Sequence, residues 1–131
     1  MRMSAANEKT VTDFCNSLLN RDMNKLVSYL SEDVFYHNMP WQPVHGHAGV
    51  RQALTPFVEG PKISLAKMDI KHTSSAGDVV MNERLEHWVA GSLKVELPVL
   101  GVFTFNDKGK IFRWCDYFDA KTVAPMMDVL K

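Results

Sequence analysis

The chain has 131 residues, with 15 lysines and arginines against 15 aspartates and glutamates, and two cysteines. That length sets one domain over residues 1–131, long enough to bury roughly two thirds of its unfolded surface without staples. The zero net charge argues against a nucleic-acid or anionic-membrane partner, two cysteines are too few for a disulfide framework, and no apolar run nears the ~18 residues of a membrane span.

The stretch Met1–Thr10 is polar and has no signal-like apolar region, so a cytoplasmic location with reduced thiols is expected. From there Val11, Phe14, Cys15, Leu18 and Leu19 fall at i, i+3, i+4, i+7 and i+8, which predicts an amphipathic helix with Asn7 as its N-cap. Asn20-Arg21-Asp22 breaks it. A second short helix turns Met23, Leu26, Val27 and Leu30 inward, and Glu32–Asn38 is extended. Pro40 and Pro43 force a loop, because the residue before a proline avoids the helical region. A weaker helix is expected over His47–Phe57.

Four strands follow. They are read over Lys62–Thr73, Val79–Ala90, Lys94–Phe105 and Lys110–Phe118, separated by turns at Ser74–Asp78, Gly91-Ser92 and Asn106–Gly109. A last helix over Lys121–Leu130 should be shortened or kinked at Pro125, and Asp119 is its natural cap. Helices first and long antiparallel strands after predict an α+β fold. Its helices pack on one face of a curved sheet whose concave side can hold an apolar ligand.

Side chains alternate along a strand, so Asn82, Arg84, Glu86 and Trp88 share a face, while Met81, Glu83, Leu85 and His87 take the other. Two readings of the polar face stand. It is a solvated surface, where an Arg–Glu pair at i, i+2 is worth little, or it lines the concave pocket, where those charges must be paired. By the same alternation Asp116 shares its face with Phe112, Trp114 and Phe118. An acid among three aromatics has a raised pKa unless a guanidinium holds it ionised. Tyr36 and Asn38 also share a face, and a phenol with an amide can hold one water.

Four segments resemble the signature stretches of limonene-1,2-epoxide hydrolases, in that family's order and at similar spacing. They are Tyr36-His37-Asn38-Met39-Pro40, Glu83-Arg84-Leu85-Glu86, Leu100-Gly101-Val102-Phe103 and Trp114-Cys115-Asp116-Tyr117-Phe118-Asp119. The resemblance runs from about Asn7 to Leu130. It implies the cone of the nuclear-transport-factor-two-like superfamily, a curved mixed sheet with helices around an apolar pocket. It also implies one-step hydrolysis of a small hydrophobic epoxide to a vicinal diol, without cofactor, in a homodimer. Carried over, Asp116 is the base acting on water, Tyr36 and Asn38 orient that water, Glu86 is the acid on the epoxide oxygen, and Arg84 bridges the two acids.

The family has aspartate where this chain has Glu86, one methylene longer. Matching to the family's pocket positions implies Cys15, Leu18, Trp88, Leu97, Val99, Phe118 and Val123 as substrate-binding walls. Trp88 is bulkier than the expected residue and Pro98 interrupts the third strand, both implying a narrowed cavity. His45 and His47 lack further ligands at metal spacing, so no metal site is expected. An isomerase or polyketide-cyclase-like enzyme, or a non-catalytic binding module, would use the same fold.

Overall fold

The computed structural model describes residues 4–131, so Met1, Arg2 and Met3 of the polar N-terminal stretch lie outside it. The first helix, α1 (Ser4–Ser17), buries Val11, Phe14 and Cys15 on the expected stripe. Asn7 is not its cap. It lies inside the helix on the buried face, and both its side-chain polar atoms lack a hydrogen-bond partner. A 3₁₀ turn over Leu18–Asn20 and a left-handed Arg21 end the run. Asp22 then caps α2 (Met23–Val27) by accepting from the Lys25 N–H at 3.1 Å.

Six strands follow: β1 (Leu30–Asn38), β2 (Val44–His45), β3 (Ser64–Ala76), β4 (Val79–Ala90), β5 (Leu93–Phe105) and β6 (Ile111–Tyr117). They form one sheet in the order β2-β1-β6-β5-β4-β3. Only β1 and β6 pair in parallel, so the sheet is mixed. It curls without closing, and the helices lie against it. Glycines with positive φ, Gly91 and Gly109, turn the chain between β4 and β5 and between β5 and β6.

Three local expectations change. Pro98 does not interrupt β5, which runs through it. Because β6 ends at Tyr117, opposite Leu100, β5 has no β6 partner at Pro98 whose bond the missing N–H would break. Phe112 does not join the inner face. Thr104 pairs with Arg113 and Phe105 with Ile111, so Phe112 is the extra residue of a bulge and is turned outward. Pro125 does not shorten the last helix, α4 (Ala120–Val129), which is held down by buried Val123 and Met126. Pro56 likewise lies inside α3 (Gly46–Val58). Asp119 caps α4 by accepting from the Lys121 N–H.

On the concave side an aromatic cluster ties α1 to the sheet. Phe14 meets the Trp114 ring edge-on at 4.8 Å, and Trp114 stacks on Tyr36 at 3.9 Å between centroids. Among the described residues no helix is long and apolar enough to cross a membrane.

Among the described residues, Asn7 is the one buried polar side chain with nothing to bond. A buried amide left unsatisfied costs about 1–3 kcal/mol. Asn7→Leu, with the same heavy-atom count and branching, is therefore expected to raise the midpoint of thermal unfolding, measured by circular dichroism. A lowered midpoint would show that the amide has a partner in solution.

Candidate active site

The period-two alternation of three neighbouring strands builds the site. Strand β4 turns Asn82, Arg84, Glu86 and Trp88 inward, and all four are buried. Strand β6 turns Trp114 and Asp116 inward, and β1 brings Tyr36 and Asn38 alongside, in register with them. Strand β5 lies between β4 and β6. For Arg84 to reach Asp116 its side chain must cross β5, and it crosses over Gly101, which pairs with Asn82 on one side and Asp116 on the other. A Cβ at Gly101 would run into Arg84 Nη1 and the Phe103 ring. The glycine is the gap through which the guanidinium passes.

The guanidinium is 1% exposed, and all three of its nitrogens donate. Its Nη2 donates to Glu86 Oε2 at 3.0 Å and to Asp116 Oδ2 at 2.9 Å, its Nε donates to Glu86 Oε2 at 3.2 Å, and its Nη1 donates to Asn82 Oδ1 at 2.8 Å. Each acid's second oxygen takes an indole N–H: Trp88 Nε1 donates to Glu86 Oε1 and Trp114 Nε1 to Asp116 Oδ1, both at 3.0 Å.

Two carboxyls on one guanidinium set the electrostatics. Burial raises the pKa of Asp116 above the ordinary carboxylate value; the Arg84 charge pulls it back, and Glu86 pushes it up again. Burial opposes the charge of Arg84, but Asp116 above all, with Cys15 and Glu86, outweighs it and raises its pKa. Tyr36 stays a neutral phenol, because burial pushes its pKa well up, Asp116 adds to the rise, and a hydrogen bond with Asn38 only partly offsets it. One proton shared by the two carboxyls leaves the cluster neutral, the cheapest state for buried charges.

The acids face a cavity of about 240 Å³ whose lining is mostly apolar. Glu86, Asp116, Tyr36 and Asn38 line it, and so do Leu18, Trp88, Leu97, Val99, Phe118 and Val123; Arg84 lies behind the acids, outside the wall. Cys15 is not on the wall either. It is buried one layer back, where its sulfur accepts from Asn82 Nδ2 at 3.5 Å and burial pushes its thiol up to about 11.

The other walls were not singled out from the sequence. Trp41 and Gln42 come from the loop after β1, Ala53, Leu54 and Phe57 from α3, and Met126 and Met127 from α4. Only packing decides which face of a short helix meets a pocket. Trp114 was legible, since it stands two residues before Asp116 on one strand face. Asn82 was legible by the same rule, and the glycine of Leu100-Gly101-Val102-Phe103 gave a signal whose reason needed the register. Among the described residues no group of three His, Cys, Asp or Glu side chains is placed to hold a metal.

Comparison with known proteins gives the family. Residues 5–128 match the model of the limonene-1,2-epoxide hydrolase catalytic domain. The chain is 33% identical over 110 residues to the epoxide hydrolase EphG of Mycobacterium tuberculosis, covering 83% of this chain and 70% of the relative. A solved structure of an epoxide hydrolase of this type from M. tuberculosis superimposes with a TM-score of 0.78 at 27% identity, covering 96% of this chain and 90% of the other. A Bacillus subtilis protein described as an isomerase shares the fold, with a TM-score of 0.83 at 17% identity over 98% and 97% of the two chains. With its arginine-bridged acids on a mixed, curled sheet, the chain belongs to the limonene-1,2-epoxide hydrolase family.

Proposed function

We propose that this chain is a cofactor-independent epoxide hydrolase acting on a small hydrophobic epoxide. In the proposed step Asp116 takes a proton from a water held by Tyr36 and Asn38. The water oxygen bonds to an epoxide carbon as that carbon's bond to the ring oxygen breaks. Glu86 gives its proton to the leaving oxygen, so a vicinal diol forms. A proton passed from Asp116 back to Glu86 resets the site.

The observation that carries the reading is Arg84 Nη2 donating to both Glu86 and Asp116. Two acids that close cannot both ionise cheaply, so one holds a proton while the other does not. That supplies an acid and a base at one pH, and each well-placed proton transfer contributes about 10²–10⁴-fold. An epoxide is already strained, so an acid on oxygen and a positioned water suffice. The cavity, at about 240 Å³, is smaller than the ~300–1,000 Å³ of drug-sized sites. It suits a small ring.

The reading extends to one catalytic domain in a cytoplasmic homodimer. Cys15 and Cys115 are unpaired and buried, as fits a reducing compartment. The convex face exposes Met81, Leu100 and Tyr117, with Leu100 and Tyr117 directly paired across β5 and β6. Such an apolar patch suits a second copy.

Incubation with cyclic and terpene-like epoxides in ¹⁸O water tests the activity. Labelled diol is expected from the parent and a loss of about 10²–10⁴-fold from Asp116→Asn; no labelled diol from the parent at high enzyme concentration sinks the reading. The base works only when ionised, so the rate rises with pH through the pKa of Asp116. Because burial raises that pKa, the half-point should lie above the ordinary carboxylate range, and the limb should vanish in Asp116→Asn.

Gly101→Ala should displace Arg84 and cut turnover in proportion, while overpacking lowers stability by about 1–3 kcal/mol. Parent-like kinetics in that variant would contradict the crossing. Leu100→Lys on the convex face is expected to convert dimer to monomer in size-exclusion chromatography with light scattering. An unchanged mass would place the interface elsewhere.

A further inference from the structure

Glu86 has three rotatable side-chain bonds, and catalytic groups misplaced by about 1 Å lose on the order of 10²-fold. Something must fix its carboxyl. Arg84 holds one oxygen, Oε2, from two of its nitrogens. The other oxygen, Oε1, accepts from Trp88 Nε1 at 3.0 Å. That direction is set from outside the pair. The Trp88 indole is buried, meets Phe57 of α3 edge-on at 6.0 Å, and forms part of the cavity wall.

The arrangement has a counterpart across the site. Asp116 is held by Arg84 on one oxygen and by Trp114 on the other. Strands β4 and β6 run in the same direction, each antiparallel to β5. Trp88 follows its acid by two residues and Trp114 precedes its acid by two. The indoles therefore bracket the acid pair from opposite ends. An apolar wall at position 88 needs only the ring, and the N–H adds a donor aimed at one oxygen.

We propose that Trp88 is a positioning residue for the acid. Its indole N–H fixes the carboxyl of Glu86 toward the cavity and stabilises the carboxylate that remains once Glu86 has given up its proton. A carboxyl oxygen has two acceptor directions. With one taken by Trp88, the other carries the acidic proton. A hydrogen bond to an ionised acceptor is about twice as strong as one between neutral groups, so this bond strengthens as the proton leaves. It favours the transition state over the ground state. The titratable groups around Glu86 are Arg84 on its own strand, Asp116 on β6, Tyr36 on β1 and Cys15 on α1. Strands β3 and β5 set Met68 and Leu97 opposite it.

The inference rests on the epoxide-hydrolase reading for its kinetic arm only. Trp88→Phe keeps a ring and removes the N–H. Its kcat should fall about 10- to 100-fold, the loss carried by one charge-assisted hydrogen bond, with KM within about threefold. Trp114→Phe should move the acid limb of the pH–rate profile, since it loosens Asp116. A Trp88→Phe variant whose kcat matches the parent's would overturn the proposal.

A second arm needs no turnover. In ¹⁵N-labelled parent protein the Trp88 indole N–H resonance should shift as Glu86 ionises, and the shift should disappear in Glu86→Gln. A Trp88 resonance that stays flat while Glu86 titrates would overturn the proposal even if Trp88→Phe did not fold. If no epoxide is turned over but this titration is seen, the hydrolase reading fails and the positioning role stands.

Discussion

A guanidinium buried away from bulk solvent is the constraint on which the rest of the structure depends. Taking an ion out of water costs several kcal/mol even after relaxation, and a buried charge persists only where its neighbours return that energy. Arg84 has its Nε, Nη1 and Nη2 all donating, to Glu86, Asn82 and Asp116. The two acids are satisfied in turn by Trp88 and Trp114. Removing any one member strands a charge or a donor, so the network holds together as a unit. Buried ion clusters seldom add stability compared with a packed apolar core. This one is better understood as chemistry that the fold supports than as a device that holds the fold together.

The requirement that Arg84 touch two acids on different strands explains much of the local sequence. Glu86 is two residues along its own strand and Asp116 is two strands away. The central strand must therefore give up a side chain at the crossing, and it does so at Gly101. Phe103 takes up the space beside the gap and lies 5.9 Å below the guanidinium carbon. Asn82 closes the far side and is itself seated on the Cys15 sulfur, which joins α1 to the cluster. The aromatic cluster of Phe14, Trp114 and Tyr36 packs beside it, with Trp114 bonded to Asp116.

On the cavity side, the chain combines a longer acid with a bulkier wall. Glu86 carries its carboxyl farther from the strand than an aspartate would, and Trp88 fills the neighbouring wall position while bonding that carboxyl. Acid and wall meet in one hydrogen bond. The helices then close the cup with flexible apolar side chains, Met126 and Met127 among them. Methionines adapt to the shape of a small ligand at little cost.

Side-chain alternation made the inner faces of β4 and β6 legible from sequence alone, and with them Arg84, Glu86, Trp88, Trp114 and Asp116. The helical stripe of Val11, Phe14 and Cys15 was legible for the same reason, because both periods are properties of the local backbone. Asn7 misled because its residue type favours a cap, whereas packing drew it into the core. Phe112 misled because a bulge shifts the alternation by one residue, and a bulge is decided by the partner strands. Cys15 belonged to the right helix face but lies one layer behind the wall. Tertiary structure alone decided that Arg84 crosses at Gly101, that Trp88 bonds Glu86, and which residues of α3 and α4 face the cavity. These depend on strand register and helix docking, which join residues far apart in the chain and leave no periodic trace in its sequence.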